Sequence, residues 1–274
     1  MKLDHSLLGG VYVRPEELAG ESVYSAFHVQ EAVLLAGPAR RPAPRALVVG
    51  LGPGLAAKGL QDAGVAVDVM ELHGEVVQAA EKFFGWRPNG RVWVRDAVAS
   101  LAMLLRSEPS AEYDYILHDI CSGGVMDGSL LTAPFFSKLS KLLAPDGVVA
   151  VNYFGGADPN LHLLGRTLLA AFGHLRCVGD EHDGEAARNF VLFASRRPVV
   201  FRQPQAEDFR GSAMREDALA TLSSREVALD LDPSLGELDG ASRGFDPELV
   251  MQHARRHWQA MREVLPGSFW SAAL

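Results

Sequence analysis

The chain has 274 residues, enough for one large domain with appendages or two small ones, and 48% of them are hydrophobic, an ordinary share for a globule with a sizeable core. A formal net charge of −8 offers no electrostatic footprint for nucleic acid, so no nucleic-acid partner is expected. No apolar run reaches the roughly 18 residues of a membrane span, and the start Met1-Lys2-Leu3-Asp4 lacks the features of a signal peptide, so the expectation is a cytoplasmic protein with no membrane partner.

Residues 1–45 read as an amino-terminal arm. Leu7 to Val13 fits a strand or hairpin arm, and Ser22 to Leu35 a helix with Val23, Phe27, Val33 and Leu34 near one face. Pro38, Pro42 and Pro44 then stiffen the approach to the next element. Tyr24, Phe27, His28 and Gln30 either pack this helix onto a core, or His28 or Gln30 lines the mouth of a ligand site.

The stretch Ala46 to Glu71 organises the rest. Ala46-Leu47-Val48-Val49 is a short apolar run with the content of a strand buried on both faces. Gly50, Gly52 and Gly54 follow, where the backbone can turn sharply and approach a ligand, and Leu55 to Ala63 reads as a helix opening out of that turn. A second apolar run, Val65 to Met70, ends in Glu71, at the distance where nucleotide-binding folds hold a ribose hydroxyl. The spacing is G-x-G-x-G, with Leu55 where a dinucleotide fingerprint wants a small residue. That points away from NAD and toward adenosine without a diphosphate, of which S-adenosylmethionine is the commonest example.

Beyond Glu71, Glu75 to Phe84 has helical spacing and Arg91 to Val94 is a short strand. Asp96 follows it on the same rim as Glu71, placed to accept a hydrogen bond from an adenine amine, to cap the helix Ala97 to Leu105, or both. Tyr115 to His118 is a fourth strand, and Asp119 leaves its carboxyl end into the loop Ile120-Cys121-Ser122-Gly123-Gly124. In an open α/β sheet the ligand crevice lies there, which makes Asp119 the acid best placed to meet a substrate; the alternative is that it binds loop amides. Ser129 to Leu143 reads as a helix, Pro145-Asp146-Gly147 as a turn, and Val148 to Val151 as a strand running into Asn152 and Tyr153. A helix over Leu161 to Ala171 and a hairpin of Leu175 to Val178 with Phe190 to Ala194, around an acidic loop at Gly179 to Glu185, complete a doubly wound α/β Rossmann-like mixed sheet over residues 46–196. The remainder, 197–274, reads as a helical extension: a short strand at Val199 to Phe201, a polar helix over Glu207 to Leu222, a loop over Asp230 to Gly244, and a helix over Pro247 to Val264. It can cap the substrate mouth, pack on the sheet or join a homodimer interface. Cys121 and Cys177 show no metal-ligand spacing, and His253 and His257, though spaced as a helical metal pair, lack the glutamate of a zinc-protease motif and read as surface residues; no metal is expected.

Five segments carry a resemblance: VVGLGPG at Val48 to Gly54, VDVMELHGEVVQAAEKFFG at Val67 to Gly85, RDA at Arg95 to Ala97, YDYILHDICSGG at Tyr113 to Gly124 and LLAPDGVVAVNYF at Leu142 to Phe154. In this order and spacing they resemble the spermidine synthase-like branch of the class I S-adenosylmethionine-dependent methyltransferases, with its seven-stranded sheet. The resemblance implies that Gly50, Gly52 and Gly54 surround the methionine part of the cofactor, Glu71 and Leu72 the ribose, and Asp96 with Ala97 the adenine. Asp119 stands where the aminopropyltransferases keep the acid that deprotonates the attacking amine. Two departures stand out. The second acid of those synthases is Ser122 here, and their Tyr-Gln-Glu stretch falls on Phe27-His28-Val29.

The leading expectation is a methyltransferase that uses S-adenosyl-L-methionine, with Asp119 orienting or deprotonating an amine or hydroxyl of a small-molecule, peptide or protein acceptor, and His28, Ser122, Asn152 and Tyr153 as acceptor-facing residues. The rivals are aminopropyl transfer to a diamine from decarboxylated S-adenosylmethionine, a non-catalytic module on the same fold, and cyclisation or cleavage of the cofactor.

Overall fold

The computed structural model describes residues 1–3, 6–37, 41–122, 125–126, 128–180, 188–238 and 244–264. Its centre is one sheet of seven strands: β1 (Arg45–Val49), β2 (Ala66–Glu71), β3 (Val92–Val94), β4 (Tyr113–His118), β5 (Leu143–Gly155), β6 (His174–Gly179) and β7 (Arg188–Ser195). The spatial order is β6-β7-β5-β4-β1-β2-β3. The strands β1 to β5 run parallel, while β7 is antiparallel to both β5 and β6. Chain order reverses between β1 and β4, which is where a doubly wound sheet opens its crevice.

Alternation along β1 builds two cores. Leu47 and Val49 face Leu101, Phe135, Phe136 and Leu164 from α5 (Ala97–Ser107), α6 (Ala133–Leu142) and α7 (Pro159–Phe172). Ala46 and Val48 face the opposite way, toward Val29, Val33, Leu60 and Leu219, which come from α1 (Ala26–Gln30), α2 (Val33–Ala36), α3 (Leu55–Asp62) and α9 (Ala213–Ala220). This second core is therefore assembled from the amino-terminal arm, the glycine-turn helix and the carboxyl-terminal extension. The helix α4 (Gly74–Phe83) follows β2, the single-turn α8 (Ala206–Phe209) precedes α9, and α10 (Pro247–Val264) closes the described chain. No helix among the described residues is long and apolar enough to cross a membrane.

The strand-helix alternation and the hairpin stand as expected from sequence, and six local readings are corrected. Residues 8–13 are not a strand: Lys2–Leu3 pairs with Ser6–Leu7, and beyond them one bridge joins Val11 to Ser22. The single arm helix is two, because ψ rises to −14° and −9° at Glu31 and Ala32 and tightens the chain out of α geometry. The helix expected from Ser129 is a 3₁₀ turn, Gly128–Leu131, and then α6, which starts afresh where the Thr132 hydroxyl accepts from Phe135 N–H. Pro145-Asp146-Gly147 bulges out within β5 rather than preceding it, since Tyr113 pairs with Leu143 but Tyr115 with Val148. Residues 199–201 form no strand; Phe201 instead packs edge-on against Phe193. The polar helix breaks in two at Arg210, which adopts φ 50°, and Gly211. Pro38, Gly123, Gly124 and most of the acidic loop after Gly179 lie outside the described residues.

Buried charge ties the extension to the arm. Glu31, wholly buried, receives Arg210 Nη2 at 2.7 Å and Arg215 Nε at 2.9 Å, and lies 3.2 Å from His28 Nδ1. Burial pushes its carboxyl up, but the hydrogen bond from His28 and the charges of Arg215 and Arg210 outweigh this and hold it below the usual carboxylate range. Asp68, bonded by Arg91 and Tyr113, is held low in the same way. A carboxyl whose folded pKa is depressed adds stability above its unfolded pKa and loses it as pH falls through the folded one. Thermal unfolding is therefore expected at progressively lower temperature between roughly pH 5 and pH 2. At pH 7 Glu31→Gln, which strands two guanidinium groups, is expected to cost about 3 kcal/mol in urea unfolding. An acid-insensitive melting temperature would contradict this account.

Candidate functional site

The parallel pairing of β1 with β4 brings the glycine turn beside Asp119. Val49 pairs with His118, and the next rung is Asp119 N–H donating to Val49 O at 2.8 Å. Gly50, Gly52 and Gly54 take φ of 85°, 52° and 78°. A Cβ on Gly50 would lie 2.0 Å from the backbone oxygen of Asp119, and one on Gly54 would lie 2.9 Å from the buried Trp86 ring. Only glycine fits either position. Leu8 O lies 3.5 Å from where a Gly52 Cβ would be, so the amino-terminal arm passes over the turn.

Glu71 ends β2 as expected. Its two carboxylate oxygens accept from Leu51 N–H at 2.9 Å and His73 N–H at 3.0 Å, fixing the glycine turn to the end of the neighbouring strand. A carboxylate has about four lone-pair sites, so acceptor capacity remains for a ribose hydroxyl. Leu72 and Val94 stand at the carboxyl ends of β2 and β3 and are 59% and 51% exposed, an apolar rim of the kind an adenine or ribose face would cover. Asp96 caps α5 by accepting from Ala99 N–H at 2.8 Å through Oδ1, no hydrogen bond reaches its Oδ2 from the described residues, and Ala97 begins the helix. The cap reading holds, and the second oxygen stays available. These residues fit an adenosyl ligand in three ways: a turn closed to side chains, an acid at ribose distance and an uncovered apolar rim.

Asp119 is half-buried. Gln30 Nε2 donates to its Oδ2 at 2.8 Å, and Asn152 Nδ2 donates to its Oδ1 at 2.9 Å. Burial pushes its carboxyl above the usual range, and the hydrogen bonds from Asn152 and Gln30 partly offset this. With both amide NH₂ groups turned to the carboxylate, Gln30 Oε1 and Asn152 Oδ1 are left buried without a partner among the described residues. His118, one residue earlier, projects to the other face against Phe135 and Phe136, and burial pushes its imidazole down to about 4.

Two other candidates, His28 and Tyr153, point elsewhere. His28 is buried against Glu31 and Glu21, so Gln30 rather than His28 reaches Asp119. Tyr153 is adjacent to Asn152 on β5 and must face the opposite side of the sheet. It is buried near Phe190 and Phe245, and its hydroxyl donates to Asp158 Oδ1 at 3.3 Å. Ser122 pairs through its backbone with Val125 in a short ribbon after Asp119. His253, read as a surface residue, is buried instead, with Nε2 2.6 Å from the Asp158 carboxylate that caps α7. This contact seats α10 against the end of β5 and the Val125–Met126 ribbon. Trp86 and the Glu31 cluster escaped the sequence reading, because nothing in a linear pattern marks a tryptophan for the underside of a turn or an arginine for a glutamate far away in the chain.

No protein-family model matches the chain. In solved structures, a probable spermidine synthase from Corynebacterium glutamicum superposes with a TM-score of 0.57 at 16% identity, covering 84% of this chain and 91% of that one. Human methyltransferase-like protein 13 in complex with SAH does so with a TM-score of 0.51 at 22% identity, covering 71% and 88%. The fold is that of the class I S-adenosylmethionine-dependent methyltransferases, in its spermidine synthase-like form. In sequence, the chain is 31% identical over 98% of its length to the N-terminal histidine N-methyltransferase of Emericella nidulans, and it spans about half (53%) of that relative.

Within this methyltransferase fold the glycine turn gives a graded test. Gly50→Ala meets a backbone oxygen and is expected to cost well over 1 kcal/mol in urea unfolding and to abolish binding of S-adenosylhomocysteine in calorimetry. Gly52→Ala, with nothing nearer than 3.5 Å, is expected to cost only about 1 kcal/mol, the strain of its left-handed backbone. Equal costs would mean that the approach of Asp119 to the turn is not what holds Gly50.

Proposed function

We propose that the chain is an S-adenosylmethionine-dependent methyltransferase and that its acceptor atom is a nitrogen. The observation that carries the acceptor is the set of hydrogen-bond acceptors around Asp119: one carboxylate and two buried amide oxygens, Gln30 Oε1 and Asn152 Oδ1, which receive no donor from the described residues. A buried acceptor left unsatisfied costs roughly 1–3 kcal/mol, so the site favours a ligand that brings several donors. A hydroxyl brings one; an amine or ammonium brings two or three. The name of the Emericella nidulans relative, an N-terminal histidine N-methyltransferase, agrees in chemistry. We therefore take a peptide amino terminus bearing histidine as the first acceptor to test.

S-adenosylmethionine supplies the methyl group on a sulfonium, already a good leaving group, so the protein's work is alignment and proton handling. The turn at Gly50 to Gly54 and Glu71 hold the adenosyl end. Asp119, kept in place by Gln30 and Asn152, accepts a hydrogen bond from the attacking nitrogen, exposes its lone pair, and takes up its proton as the new bond forms. Aminopropyl transfer is the weaker reading. A diamine carries two charges whose desolvation calls for more than one carboxylate, and at this centre Asp119 is joined by neutral amides.

A histidine-initiated peptide is expected to gain one methyl group per turnover in mass spectrometry, whereas putrescine with decarboxylated cofactor should give no product. Asp119→Asn is expected to lower kcat by about 10²–10⁴ with cofactor binding preserved. Because burial raises the Asp119 carboxyl, the rising limb of the pH–rate profile should lie above the ordinary aspartate range and vanish in Asp119→Asn. No calorimetric binding of S-adenosylmethionine would sink the reading altogether.

A further inference from the structure

The helix α1 is five residues long, all of them buried, and its polar side chains leave in two directions. Gln30 at its end goes to Asp119. Glu31, the next residue, goes to the extension: Arg210 Nη2 donates to its Oε2 at 2.7 Å, Arg215 Nε to the same oxygen at 2.9 Å, and Arg215 Nη2 to Oε1 at 3.3 Å. The carboxylate seats on Gly59 of α3, where a Cβ would come within 2.3 Å of it, and Arg210 also donates to Gly59 O. Arg210 is the one non-glycine residue with positive φ among the described residues, a backbone conformation that persists where surrounding contacts over-determine it.

Neighbouring Cα atoms are about 3.8 Å apart, so Glu31 cannot be fixed without fixing Gln30. We propose that Arg215 and Arg210 are positioning residues for Asp119: they grip Glu31, which sets α1 at the depth from which Gln30 meets the carboxylate. The carboxyl-terminal extension is thereby part of the acceptor site without touching the acceptor. This rests on the reading of Asp119 as the acid that faces the acceptor, although the coupling itself concerns this chain's own residues.

The surroundings of Asp119 make the coupling readable by titration. Gln30 and Asn152 are the side chains that hydrogen-bond to it, and no charged group among the described residues pairs with it. On α1, His28 faces Glu31 and Glu21; on β4, His118 faces the opposite core. Loss of the Gln30 hydrogen bond removes a donor to the charged form and raises the pKa of Asp119.

The experiment uses the full chain with ¹³C-carboxyl-labelled aspartate, the Asp119 resonance being assigned by its absence in Asp119→Asn. Gln30→Ala is expected to raise the Asp119 titration by roughly half to one pH unit. Arg215→Met is expected to raise it similarly in the wild-type background and by less than about a quarter as much on top of Gln30→Ala, the signature of two residues acting through one contact. Glu31→Gln with Arg215→Met, which removes the carboxylate and one of its two guanidinium partners together, should give the same shift, and Arg215→Lys a smaller one. Equal shifts in both backgrounds would mean that Arg215 acts by direct charge, and no shift would mean that the cluster merely fastens the extension; either result overturns the proposal. Calorimetry with S-adenosylhomocysteine separates the two levels. Affinity in these variants should stay within about twofold of wild type, because the glycine turn and Glu71 are untouched. Failure of the wild type itself to bind would sink the methyltransferase reading, whatever the titrations show.

Discussion

The last rung of the β1–β4 ladder, Asp119 N–H to Val49 O, is the constraint on which the site depends. It sets the backbone of Asp119 against Gly50 so closely that no side chain fits between them, and so joins the turn that would hold an adenosyl group to the acid that would meet an acceptor. Both elements come from parallel strands, whose carboxyl ends lie on one edge by construction. The spacing between the glycine turn and Asp119 is thus set by sheet register rather than by loop conformation, which would suit chemistry that depends on alignment.

That ladder also explains what the sequence made legible. Strands buried on both faces must be short and continuously apolar, and β1, β2 and β4 declare themselves by that run. Glycines with positive φ and an acid closing β2 declare the turn, and an Asp ahead of a helical pattern declares its cap. The short β3 and the hairpin follow from the same alternation. Chemistry attached to the ends of regular elements is readable because periodicity fixes where those ends are.

What stayed hidden is decided by pairs distant in sequence. Nothing local distinguishes His28 from Gln30, two polar residues on one turn of an arm helix, yet one meets Glu21 and Glu31 and the other meets Asp119, 89 positions away. Tyr153 looked like a companion to Asn152 by proximity, yet strand period two sends it to the other core. His253 seemed a surface residue by composition, and the Asp158 cap of α7 draws it in. In the last two cases the Asp158 carboxylate, already committed to the start of α7, takes a further side-chain partner.

The chemistry at Asp119 follows from what surrounds it. A site for a flexible dication needs charge at both ends, because two ammonium groups desolvated against one carboxylate leave a buried charge uncompensated. Here the acid is flanked by Gln30 and Asn152, which hold it without adding charge and keep their own carbonyl oxygens buried and unpaired among the described residues. Such an arrangement suits one nitrogen with several hydrogens. On this reading the acid would need support from far away: a half-buried carboxylate that burial pushes toward its protonated form would serve as a proton acceptor only while both amides stay aimed at it, and one of those amides ends a helix whose next residue, Glu31, is held by Arg210 and Arg215 of the carboxyl-terminal extension.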